Sequence, residues 1–189
     1  KATNQLELIG KLARQNKLQE AGEILKNLLD RHSNILDQAV KDPSRKSHLI
    51  SRLTSAQNEI ADLIKGVAII QELTPKTLDR FYSYGELLSS SLVVAIMQEA
   101  GLDAVWIDTK DFMITDNNFN RAMPIMELVE QKLQALALDP VNKDKIIVTQ
   151  GFIGATIFGE RTTMGRESSD YSAAVIGAAL NAEDVQIWT

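Results

Sequence analysis

A chain of 189 residues with 44% hydrophobic and 24% charged positions can bury one substantial core, which excludes a disordered polymer. A net charge of −5 argues against nucleic acid or an anionic membrane surface as the main partner, and no cysteine with only two histidines leaves no disulfide framework and no expected metal ligands. No apolar run approaches the roughly 20 residues of a membrane span, and Lys1-Ala2-Thr3 does not look like a signal peptide, so a soluble, cytoplasmic protein is expected.

From Thr3 to about Ala100 the periodicity is helical throughout. A short first helix carries Leu6, Ile9 and Ala13. In the second, Leu18, Ala21, Leu25, Leu28, His32, Ile35 and Ala39 alternate by three and four, which is one helix face. His32 sits on that stripe, where a histidine is a packed, hydrogen-bonded residue more often than a ligand. Asp42-Pro43-Ser44 breaks the pattern, with Ser44 expected as the next N-cap. The third helix presents Leu49, Leu53, Ala56, Ile60, Leu63 and Val67, and pairs with the second as a long antiparallel hairpin. Whether that hairpin packs on its own domain or on a partner subunit stays open.

Thr74-Pro75 restarts the chain as N-cap and first helical residue. The row Leu78, Phe81, Gly85, Leu88 and Leu92 follows, and Gly101 stops the helix. Glycine inside a helix costs about 1 kcal/mol against alanine, so Gly85 implies close approach by another group. Its neighbour Glu86 lies off the apolar row and, taken alone, reads as a surface acid.

Beyond Gly101 the period changes. Ala104 to Ile107 and Ile146 to Thr149 are short continuous apolar runs, expected as strands covered on both faces. Asp108 to Asn120 reads as loop with a turn at Asp116-Asn117-Asn118, Met123 to Leu138 as helix, and Val185 to Thr189 as a last strand. Gln150-Gly151-Phe152-Ile153-Gly154 follows the second strand directly, where open α/β sheets place ligands. Phe158-Gly159-Glu160 looks like a hairpin turn. Alternating strand and helix imply a mostly parallel sheet between helix layers. The reading is one partial α/β domain over 1–189, helical from 3 to 100 and carrying the ligand site from 101 to 189.

The most informative stretch is Thr162 to Tyr171, Thr-Thr-Met-Gly-Arg-Glu-Ser-Ser-Asp-Tyr. Gly165 permits a turn closed to other residues. Arg166 offers a planar fork for a carboxylate or phosphate. Ser168, Ser169 and Asp170 stand where a helix begins, with its unpaired N–H groups and partial positive charge. The plain alternative makes Ser169 an N-cap, Asp170 a first-turn acid and Arg166 a solvated cation.

This stretch resembles the Thr-Thr-x-Gly-Arg-x-x-Ser-Asp-Tyr signature of aspartate kinases, in the amino-acid kinase family. Ser83-Tyr84-Gly85-Glu86 and Gln150-Gly151-Phe152-Ile153-Gly154 resemble two further motifs of that family, and the likeness runs from Thr3 to Thr189. It implies the amino-acid (carbamate) kinase fold and phosphorylation of the β-carboxylate of L-aspartate by Mg²⁺-ATP, the first step toward lysine, threonine and methionine. By resemblance, Thr3, Glu86, Phe152, Arg166, Glu167, Ser168 and Ser169 meet the substrate. Glu86 would take its ammonium, Arg166 its α-carboxylate, and Phe152 would wall the pocket. Asp170 matches the acid that holds the catalytic lysines, and Thr189 the start of the nucleotide-binding loop. Glu167-Ser168 departs from the Gly-Gly of many members.

The family's Lys-Phe-Gly-Gly-Thr phosphate loop is not among these residues, so the chain is expected to be a fragment, inactive in isolation. It is further expected to derive from a homo-oligomer, with fusion to a homoserine dehydrogenase left open. Two other readings compete: an amino-acid-binding domain without catalysis, and a helical oligomerisation module built on Leu18 to Val67.

Overall fold

The computed structural model describes residues 2–142 and 144–188. The chain divides into two compact units, Lys1–Leu102 and Asp103–Thr189.

The first unit is helical because apolar residues recur at three- and four-residue spacing through α1 (Ala2–Arg14), α2 (Leu18–Ala39), α3 (Pro43–Ile70) and α4 (Pro75–Glu99). Leu6, Ile9, Leu28, Ile60 and Phe81 are among its fully buried side chains, each contributing about 1.5–3 kcal/mol by leaving water. Helices α2 and α3 both pack on α1 and α4, so the long hairpin belongs to the core of its own unit. His32 is buried, its Nδ1 lying 2.8 Å from the Leu28 carbonyl, as a packed histidine should. The buried face of α2 centres on Ala21, Leu25, Leu28, Leu29, His32 and Leu36, which leaves Leu18 and Ile35 exposed at its edges.

Helix α3 starts two residues earlier than expected. Asp42, not Ser44, is the N-cap, and its Oδ1 accepts from the Arg45 N–H at 2.8 Å. The reason is Pro43, whose fixed φ suits the first helical position and whose missing N–H leaves nothing to satisfy there. Thr74 caps α4 as expected, its Oγ1 accepting from the Thr77 N–H at 3.1 Å. Arg45 donates to Glu99 at 3.1 Å and joins the start of α3 to the end of α4. No described helix is long and apolar enough to cross a membrane.

In the second unit β1 (Ala104–Trp106) and β2 (Ile146–Val148) pair in parallel, with Ala104 opposite Ile146. Helix α5 (Met126–Leu138) makes the crossover between them. It begins three residues later than the apolar pattern suggested. Pro124 bridges Thr115, and a residue preceding proline is pushed away from helical angles. β3 (Ile153–Ala155) and β4 (Arg161–Thr163) form an antiparallel hairpin, with Ile153 opposite Thr163 and the turn at Ile157-Phe158, closed by the Gly159 N–H on the Thr156 carbonyl. Residue Ile114 bridges Ala155 in parallel, so the stretch after β1 extends the hairpin's sheet. Helix α6 (Ser169–Ala179) then packs on α5 around Phe112, Met113, Val129, Leu133 and Val175.

Two strand expectations need correction. Ile146 and Ile147 of β2 are exposed rather than covered on both faces, because among the described residues β2 is an edge strand paired only with β1. Residues 185–188 form no strand: no described strand offers them a ladder, Val185 lies over Gly177 of α6, and Ile187 and Trp188 are exposed.

Candidate functional site

In the first unit the expected site residues Thr3 and Glu86 lie near each other. A Cβ added to Gly85 would meet the Ala2 Cβ at 3.5 Å, the Leu6 Cδ1 at 3.4 Å and the Thr3 backbone nitrogen at 4.0 Å. The in-helix glycine thus marks where the first turn of α1 rests on α4. Thr3 and Glu86 are both half-buried there, so Glu86 is not the surface acid that its position off the apolar row suggested.

Burial pushes the Glu86 carboxyl above its ordinary value of 4.5. The sign for binding follows directly. A carboxyl with a raised pKa carries a fractional charge in mildly acidic solution, and a cationic partner restores that charge. Affinity for an ammonium group at Glu86 should therefore fall as acid protonates this carboxyl, beginning at a higher pH than at an ordinary glutamate. Glu86→Gln should remove that dependence and weaken ammonium binding by 2–4 kcal/mol in round figures, about 30- to 1000-fold. Titration of the ligand at several pH values checks both.

The second unit gathers Phe152, Arg166, Glu167, Ser168, Ser169 and Asp170 around the start of α6. Gly165 has φ +96°, the left-handed turn that lets the chain leave β4 and swing into the helix. Glu167 has φ +65° and Phe152 φ +69°, conformations that side-chain-bearing residues rarely adopt. Such backbones persist only where the surroundings hold them. For Phe152 the holders are visible: its N–H donates to Ser172 Oγ at 2.8 Å, and its carbonyl accepts from the Met164 N–H at 2.9 Å. The Phe152 side chain is buried.

Ser168, not Ser169, is the N-cap of α6, and it does not cap through its side chain. The Ser168 hydroxyl instead donates to the Gly165 carbonyl at 2.7 Å, closing the turn. The Ser168 side chain thus leaves the first-turn N–H groups of α6 uncapped, and Arg166, Ser169 and Asp170 are exposed at this end. A helix start with no side-chain cap from its N-cap residue, a partial positive charge and a guanidinium in the adjoining loop is suited to a small carboxylate or phosphate. Gly151 lets the loop after β2 approach this end closely: a Cβ there would meet Ser169 Cα and Cβ at 3.1 Å. Thr189 lies outside the described residues.

One set of contacts was not legible in the sequence, although Gln150 itself opens the loop motif noted above. At the carboxyl ends of β1 and β2, the buried Gln150 accepts from the Thr109 N–H at 2.9 Å and the Thr109 hydroxyl at 3.1 Å, and donates to the Ile107 carbonyl at 3.3 Å. Beside it, the Arg161 fork grips Asp108 through Nη1–Oδ1 at 2.6 Å and Nη2–Oδ2 at 2.5 Å. Burial pushes the Asp108 carboxyl up, but Arg161 together with the Lys110 N–H outweighs it and holds the pKa below the ordinary 3.8.

For a depressed carboxylate the stability it contributes is present above the unfolded pKa and lost as pH falls through the folded one. The chain should accordingly lose stability as pH drops below about 4, and Asp108→Asn should flatten that loss. Denaturant midpoints between neutral and strongly acidic pH check it. Among the described residues no three His, Cys, Asp or Glu side chains group to hold a metal ion.

Comparison with known proteins places this arrangement. The model of the amino acid kinase family matches residues 9–189. Over 138 residues the chain is 38% identical to the lysine-sensitive aspartokinase 3 of Escherichia coli, covering 70% of this chain and 30% of that protein. It is 31% identical over 176 residues to the aspartokinase of Chlamydia pneumoniae, covering 92% of this chain and 36% of that one. The crystal structure of E. coli aspartokinase III in complex with aspartate and ADP superposes on all of the chain with a TM-score of 0.79 at 31% identity, using 40% of its own length. The chain thus spans about a third of the length of these two curated relatives. With the family model spanning nearly the whole chain, this protein belongs to the amino acid kinase family.

Proposed function

We propose that this chain is the acceptor-side part of an aspartate kinase, which transfers the γ-phosphoryl group of ATP to the β-carboxylate of L-aspartate. The observation that carries the reading is the α6 start. There a left-handed Gly165, the Arg166 fork and a helix start that Ser168 leaves uncapped occur together on the family's scaffold, which suits a carboxylate.

The chemistry divides among the residues as follows. A zwitterionic substrate needs one acid and one bidentate cation, and each charge-assisted hydrogen bond contributes about 1.5–3 kcal/mol. Glu86, with Thr3 beside it, takes the ammonium. Arg166 takes the α-carboxylate, and the Glu167-Ser168-Ser169 backbone completes the loop. Phe152 shapes the pocket by fixing the backbone next to it.

In the transfer, a β-carboxylate oxygen forms its bond to the γ-phosphorus as the bond from that phosphorus to the ADP oxygen breaks. Charge shifts without a proton leaving, so catalysis rests on positioning and on cations at the phosphates. Asp170 serves by holding the ammonium groups that meet them, and Thr189 opens the nucleotide segment. The described residues offer no protein cage for a metal, and a magnesium ion characteristically rides on nucleotide phosphates, so we assign it no residue here. Homo-oligomerisation and a cytoplasmic location fit this reading.

Titration of the chain with L-aspartate, followed by amide NMR, tests it. Shifts confined to the Gly165–Asp170 amides and to those around Thr3, Glu86 and Phe152, and abolished in Arg166→Met, support the assignment. Shifts elsewhere, or equal response to succinate, which lacks the ammonium, would count against it.

A further inference from the structure

We propose that the Asp108–Arg161 ion pair is a positioning lock for the carboxylate loop, fixing the β3–β4 hairpin so that Gly165 to Asp170 keep their binding geometry. Neither residue touches the α6 start. The lock rests on the proposed function only for the identity of the ligand, not for its mechanics.

The connections run in two directions from the pair. Arg161 is the first residue of β4, and the strand continues straight into the loop. Along the way Thr162 Oγ1 meets Thr115 Oγ1 at 2.7 Å, the Thr163 carbonyl accepts from the Ala122 N–H at 2.9 Å, and the Met164 N–H donates to the Phe152 carbonyl at 2.9 Å. In the other direction Asp108 opens the 3₁₀ turn Thr109–Asp111 and accepts from the Lys110 N–H at 2.9 Å. That turn presents Thr109 to Gln150, the residue before the close approach of Gly151 to Ser169. Phe152 then reaches Ser172 of α6, whose hydroxyl also donates to the Ser168 carbonyl at 3.0 Å. One bidentate pair therefore ties both sides of the loop to the carboxyl end of β1.

The side chains of Arg161 and Asp108 are only 17% and 9% exposed, so water does little to loosen the pair. Two parallel hydrogen bonds fix angle as well as distance, which a single point contact cannot do. A lysine at 161 would keep the charge and lose the orientation.

Hydrogen exchange on the full chain tests the lock. In Asp108→Asn, and more mildly in Arg161→Lys, the Phe152, Met164 and Ser172 amides should exchange at least about tenfold faster, while Val129 and Leu133 of α5 keep their wild-type rates. The Asp108→Asn/Arg161→Gln double variant should be no worse than the first single one, since both changes break one interaction. Equal acceleration in α5 and around the loop would show a general loss of stability and overturn the proposal, as would unchanged rates at the three loop amides. Calorimetric titration with L-aspartate runs alongside: affinity should fall about tenfold in Asp108→Asn. If wild-type protein binds no aspartate while the exchange pattern holds, the substrate assignment fails and the lock stands.

Discussion

Arg166→Lys should lower kcat/KM for aspartate by about 30- to 1000-fold in the complete kinase, with the KM for ATP nearly unchanged. Lysine keeps the positive charge, so the loss isolates geometry. A guanidinium makes two parallel hydrogen bonds to a carboxylate, whereas an ammonium is a point charge on a flexible stem. Losing one charged partner contact in a partly buried complex costs on the order of 2–4 kcal/mol, which sets that range. The structure sharpens the expectation, because the Arg166 backbone is fixed on one side by the left-handed Gly165 and on the other by the Ser168–Gly165 turn bond. A longer or shorter side chain cannot be accommodated by sliding the loop. Steady-state kinetics with aspartate and ATP varied separately checks this, and wild-type kcat/KM for aspartate in the variant would remove Arg166 from the site.

Asp170→Asn should lower kcat by about 100- to 1000-fold while the aspartate KM changes by less than about threefold. Asp170 stands exposed in the first turn of α6. As a simple helix-dipole partner it would contribute only about 0.3–1 kcal/mol of stability and nothing to rate. As the anchor of catalytic ammonium groups it acts in the transition state, where charge on the transferring phosphoryl group must be met in register. The two roles separate cleanly: a variant with normal kcat and a small drop in Tm makes Asp170 a dipole partner and nothing else.

Much of the fold could be read from local signals, for stated reasons. The stripe through Leu25, Leu28 and His32 and the Thr74-Pro75 restart are short-range patterns that helix physics enforces regardless of context. Gly85 announced a close approach, and the first turn of α1 supplies it. The α6 start was legible because Gly165, Arg166 and the two serines carry its chemistry within a few residues.

What escaped was non-local. Asp108 and Arg161 are 53 residues apart, and each alone reads as a loop or strand charge. The left-handed backbones of Phe152 and Glu167 fall on residues other than glycine, and that of Phe152 is held by hydrogen bonds from other segments. The apolar runs at 146–149 and 185–188 were misread in burial or in type. An apolar run predicts a strand between neighbours, and the described residues provide one neighbour for the first and none for the second.

The central claim is that this chain carries the acceptor side of an aspartate kinase. Trapping of the acyl phosphate with hydroxylamine tests it most directly, using the complete kinase, Mg²⁺-ATP and a panel of L-aspartate, L-glutamate and carbamate. The account predicts hydroxamate from aspartate alone, lost in Arg166→Met. Transfer to another acceptor, or undiminished aspartyl hydroxamate in Arg166→Met, would contradict it.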